Sequence, residues 1–126
     1  MSKHCINSSN APAPIGPYNQ ATEKNGFVFI SGQIALIPGT DNLVNQSIEE
    51  ETQQVMQNLQ AILKEANLTF EDVLKTSIFL SDMAHFAVVN KVYASYFNNA
   101  FPARETIAVL GLPKSVHVEI SMIAAR

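Results

Sequence analysis

The pattern of this chain specifies a two-layer α+β domain, a mixed sheet of about six strands with two helices on one face. Three observations lead there. Apolar residues recur at helical spacing in two separate stretches, short β-branched and aromatic runs flank both, and the order is hairpin, helix, strand, helix, strand, strand. At 126 residues, a single domain spanning 1–126 suffices.

Residues 1–17 are polar and proline-rich, which describes an N-terminal arm ordered only by docking against something else. Asn25-Gly26 joins Asn19–Glu23 to Phe27–Ser31, and this dipeptide between strand-like runs signals a hairpin. Ile37–Asn45, punctuated by Pro38, Gly39 and Asp41-Asn42, reads as an exposed loop. Ser47 then caps a helix, with Glu50 placed for a capping box and three glutamates at the positive helix end. Its apolar stripe is Ile48, Val55, Met56, Leu59, Ile62, Leu63 and Ala66, and Asn67 ends it. Thr69–Asp72 is a capped turn, and Leu74–Leu80 suits a strand.

Ser81-Asp82 can cap the second helix, Ala84–Phe97, whose apolar side carries Phe86, Val89, Tyr93 and Tyr96 or Phe97, with Asn90 beside it. Glu105–Leu110 and Val116–Ala124 are the last strands, separated by a turn at Gly111–Lys114. Two helices cannot cover both faces of this sheet. Phe27–Ile30 is apolar on both sides, so the second face stays partly apolar and predicts a homo-oligomer, the alternative being a helix-covered monomer with a mildly apolar back.

Composition excludes several classes of function. A hydrophobic content of 47% with 15% charged residues is that of a folding chain, not a disordered one. A net charge of -3 and a pI near 5.5 argue against nucleic acid as the main partner. One cysteine, Cys5, permits no internal disulfide, and with His4, His85 and His117 scattered no metal site is expected. Without a long apolar run or a signal-peptide core, a cytoplasmic protein with no membrane contact is expected.

No nucleophile elbow, phosphate loop or zinc-protease motif is present. The remaining candidates are Arg104, just before the penultimate strand, and Glu119, inside the last one. Alternation turns Glu119 away from Val118, Ile120 and Met122, onto the side of His117 and Ser121. A carboxylate in an apolar strand is costly unless paired or hydrated. Glu119 either holds a water in a cleft whose Arg104 grips a carboxylate, or the two residues pair with each other or a neighbouring subunit as structural support. Tyr18 either lines a pocket or anchors the arm. Glu105 should face away from Arg104.

The runs Ile15–Ala21, Phe29–Ile34, Val89–Tyr93, Phe101–Arg104 and Leu112–Ile120 resemble, in order and over nearly the whole chain, the Rid family of YjgF-like reactive intermediate deaminases. Its closest likeness is to the RidA subgroup. The resemblance implies a chorismate-mutase-like fold and a homotrimer with clefts between subunits. It also implies cofactor-free hydrolysis of enamines and imines, such as 2-aminoacrylate and 2-aminocrotonate, to 2-keto acids and ammonia. By position, Arg104 would bind the substrate carboxylate and Glu119 would hold the attacking water. Tyr18, Ser31, Gly32 and Asn90 would line the cleft, with the backbone at Thr106 assisting. The chain departs from the family pattern at Thr106, where many members have Cys, at Glu105, where a small hydroxyl residue is usual, and at Ser121, where an acid is common. A non-enzymatic module binding a small carboxylate in the same cleft is the alternative. A ribonuclease reading lacks interleaved basic and aromatic residues.

Overall fold

The computed structural model describes residues 2–126. Six strands form one sheet: β1 (His4–Ile6), β2 (Ala21–Lys24), β3 (Phe27–Gln33), β4 (Val73–Leu80), β5 (Ala103–Ala108) and β6 (Val118–Ala125). Their spatial order is β1-β2-β3-β6-β4-β5, antiparallel except for the parallel pair of β4 and β5. Two helices, α1 (Ile48–Glu65) and α2 (Phe86–Ala94), cross from β3 to β4 and from β4 to β5. Both crossovers join parallel strands and step the same way across the sheet, so the usual crossover hand puts both helices on one face. The expected layers are therefore present.

Asn25 and Gly26 both take positive φ, 54° and 84°, as a two-residue turn of this type needs, and the hairpin register runs from Lys24↔Phe27 to Ala21↔Ile30. Ser47 accepts the Glu50 N–H at the start of α1, and Asn67, at φ 60°, follows its end. Thr69 and Asp72 form a reciprocal capping box. Under α1 and α2 lies the core: Val55, Met56, Leu59, Ile62, Leu63 and Val89 meet Val28 and Ile30 of β3, Ile78 and Leu80 of β4, and Val118, Ile120 and Met122 of β6.

Three expectations need correction. The N-terminal arm docks on its own chain: β1 pairs with β2, and Ile6 and Ala11 join the core. Gln20 is the cause, since its buried amide accepts the Ser8 N–H at 2.6 Å and donates to the carbonyls of Ser8 and Pro12 at 3.0 and 2.8 Å. The second helix is shorter than 84–97. Asp82 caps a single 3-10 turn, Met83–His85, before α2, which ends at Ala94 ahead of Asn98-Asn99. His117 lies before β6 rather than in it, and its ring meets Glu51 of α1 at 2.9 Å, so it leans toward the helices instead of sharing the side of Glu119.

The other sheet face carries Phe27, Phe29 and Ile107, each about half exposed, around a polar strip in which Glu105 pairs with Lys75 at 3.2 Å and accepts from Ser77. Glu105 thus faces away from Arg104, as alternation requires.

Candidate active site in two halves

Alternation along β4 fixes which face each candidate occupies. Thr76, Ile78 and Leu80 are buried under the helices, and Ser77 and Phe79 point the other way. Arg104 pairs with Thr76, so it stands on the helix side at the sheet's edge; Glu119 pairs with Phe79, so it stands on the open side. Within one chain the two do not meet. They form no ion pair with each other, which removes the direct structural pairing considered above.

Glu119 lines a depression of about 420 Å³ with Tyr18, Ser31, Gly32 and an apolar surround that includes Ile15, Ile34, Leu36 and Pro113. Local backbone irregularity makes this space. The register of β3 against β6 shifts between Ile30 and Gln33, and the glycine in that bulge leaves room for the Glu119 side chain to lie across it. Ser31 donates its hydroxyl to the Asn19 carbonyl at 2.7 Å, tying β3 to the segment that carries Tyr18. The Tyr18 ring is about half exposed, and its hydroxyl accepts the Ile15 N–H at 3.4 Å. Asn58 of α1 donates to the carbonyls of Ile34 and Leu36 at 3.0 and 2.9 Å, holding the far wall. Glu119 has no hydrogen-bond or ionic partner among the described residues, and burial pushes its carboxyl above the ordinary value.

Arg104 lines a second depression, of about 290 Å³, with Asn90, Tyr93, Phe101 and Pro102. Its guanidinium carbon lies 5.2 Å from the Tyr93 ring centroid and 5.8 Å from that of Phe86. The aromatic shelf holds a cation while leaving its N–H fork unoccupied. Among the described residues, Arg104 has no carboxylate partner. Tyr93 is itself fixed by donating to Thr76 at 2.9 Å.

Tyr18, Ser31, Gly32 and Glu119 are thus brought together on one side, and Asn90 and Arg104 on the other. Thr106 pairs with Ile78 on the helix side and lines neither depression. Its hydroxyl is buried without a hydrogen-bond partner. Sequence reasoning placed Tyr93 only in the core stripe and missed its role as the shelf under Arg104. It also missed Glu51 and Asn58, although both fall on the buried stripe of α1 by helical spacing from Ile48 and Val55.

A family model described as endoribonuclease L-PSP matches residues 8–126. The chloroplastic Reactive Intermediate Deaminase A of Arabidopsis thaliana is 43% identical over 124 residues, covering 98% of this chain and 66% of the relative. The 2-iminobutanoate/2-iminopropanoate deaminase of Mus musculus is 42% identical over 121 residues, covering 96% of this chain and 90% of the relative. The crystal structure of YyfA from Yersinia pestis, a protein of unknown function of the conserved Rid protein family, superposes with a TM-score of 0.95 at 44% identity, covering 99% of this chain and 100% of the other.

Proposed function

Because the chain belongs to the Rid family of YjgF-like proteins, whose model carries the endoribonuclease L-PSP description, we propose that it hydrolyses reactive imine and enamine carboxylates to 2-keto acids and ammonia. The substrates are of the 2-aminoacrylate and 2-aminocrotonate class, and no cofactor takes part. The observation that carries this reading is a pair of opposite charges left unanswered within one chain: Arg104, shelved on Tyr93 and Phe86, and Glu119, desolvated above Gly32.

The two halves become one cleft when a second copy sets its Glu119 side against the Arg104 side of the first. Such a site belongs to a closed ring of subunits, and the family resemblance gives three. The half-exposed Phe27, Phe29 and Ile107 supply an apolar face for copies to cover.

The chemistry asks little of the protein. An enamine tautomerises to an imine, whose C2 is electrophilic. Arg104 forks onto the carboxylate and fixes that carbon, while Asn90 and Tyr18 limit its orientation. Glu119 takes a proton from a water as the water oxygen bonds to C2 and the C=N π pair moves to nitrogen, then gives that proton to the nitrogen, leaving a carbinolamine. It next takes the hydroxyl proton and passes it to the nitrogen as the C–N bond breaks, so ammonia leaves and the keto group remains. A carboxyl with a raised pKa is suited to this, because it gives up and takes back a proton closer to neutral pH.

The test couples the protein to a pyridoxal-phosphate dehydratase that releases such an enamine, and follows keto acid and ammonia. Faster release with the wild type and none with Arg104→Ala supports the reading. Release no faster than without the protein refutes it, and binding of 2-ketobutyrate without turnover would favour the carboxylate-binding module. Salt-sensitive RNA binding would favour the ribonuclease reading instead.

A further inference from the structure

Glu51 is the only charged residue among the described ones that is fully buried, and neither half of the cleft uses it. Its carboxylate accepts the backbone N–H of His117 at 2.8 Å and of Val118 at 3.1 Å, and its other oxygen lies 2.9 Å from the His117 Nδ1. The residue after these two is Glu119.

The sheet explains why this matters. The ladder between β3 and β6 ends at Gln33↔Ile120, so at Val118 and Glu119 β6 has a strand partner only in β4, through Leu80 and Phe79. On its other side the chain has outrun β3. A buried backbone N–H without an acceptor is costly, and Glu51 reaches up from the first turn of α1 to provide one. A carboxylate has acceptor positions enough to serve both N–H groups and the imidazole at once. A shorter or apolar residue would free the entry to β6.

We propose that Glu51 is a positioning residue: by standing in for the missing strand partner, it fixes the chain entering β6 and so holds the Glu119 carboxylate over Gly32. This rests on the proposed role of Glu119 as the water-holding acid. The proposed carboxylate-binding Arg104 lies on β5, the edge strand two places from β6, so loss of Glu51 should disturb turnover rather than substrate capture.

The experiment pairs imine hydrolysis with a carbon-13 NMR titration of the Glu119 side-chain carboxyl, in wild type, Glu51→Gln and Glu51→Ala. In Glu51→Ala, kcat should fall about tenfold or more with KM within about twofold, and the freed, hydrated Glu119 should titrate lower than in the wild type. Glu51→Gln keeps an oxygen for the backbone N–H groups and should recover kcat to within about threefold. A folded Glu51→Ala with wild-type kcat and wild-type Glu119 titration overturns the proposal. If that variant does not fold, Glu51→Asp, which withdraws the carboxylate by one methylene, decides on the same two readouts. A wild type without imine turnover would refute the proposed activity and leave the titration alone to decide the role of Glu51.

Discussion

Gly32 and Glu119 share one space. A Cβ at position 32 would stand 2.9 Å from the Glu119 carboxyl carbon, closer than a Cβ comes to any neighbour, and 3.1 Å from its Cγ. The acid can lie over β3 only because that residue has no side chain.

Gly32→Ala should therefore remove activity while sparing the fold. The obstructing atoms belong to a flexible side chain that can swing away, so the stability cost should stay near that of a shifted rotamer, about 0.5–1.5 kcal/mol. Urea unfolding and keto-acid release, measured on the same preparation, check the two halves of this expectation.

Arg104→Lys keeps the charge but loses the planar fork that matches a carboxylate. We expect kcat/KM to fall roughly 10–100-fold, in line with the ~1.5–3 kcal/mol of a charged hydrogen bond. Steady-state kinetics on 2-aminocrotonate should place the loss in KM as well as kcat. An unchanged KM would show that Arg104 does not hold the carboxylate.

Tyr93→Phe separates the two duties of Tyr93. The ring under Arg104 survives, so KM should change less than about twofold, whereas the buried Thr76 hydroxyl loses its partner at a cost of about 1–3 kcal/mol. Tyr93→Leu removes the ring as well and should raise KM. Thermal unfolding beside kinetics distinguishes them.

In the proposed reaction Glu119 links activity to stability through pH. Its carboxyl titrates above the ordinary 4.5 because burial disfavours the charged form. The folded chain therefore binds this proton more tightly than the unfolded chain. The resulting contribution to stability is complete below pH 4.5 and is lost as pH rises through the folded value. Glu119→Gln escapes that loss. Relative to wild type, its melting temperature should rise as pH increases from about 4.5 through the folded Glu119 value, while activity falls roughly 10²–10⁴-fold.

Much of this was legible in the chain itself, where local chemistry and periodicity agree. Asn25-Gly26, Ser47, Thr69 with Asp72, and the stripe from Val55 to Leu63 each specify their structure within a few residues. The docking of the arm was not legible. It depends on the Gln20 amide meeting Ser8 and Pro12, a contact that no local pattern announces. Arg104 and Glu119 were readable as candidates from charge in apolar strands. Their placement on opposite faces was not, because it follows from β6 inserting between β3 and β4. Glu51 looked like one more acid in a helix's first turn, and only β6 packing over that turn reveals its burial.

In the proposed cleft Arg104 of one copy works with Glu119 of another, and complementation between inactive variants reads that pairing out. Arg104→Ala and Glu119→Ala, each inactive alone, are mixed under conditions that let subunits exchange, and keto-acid release is followed. Random mixing at equal amounts gives about a quarter of the clefts both intact residues, so activity should return to about that share of wild type. Two variants that exchange subunits and remain inactive at every ratio would contradict it.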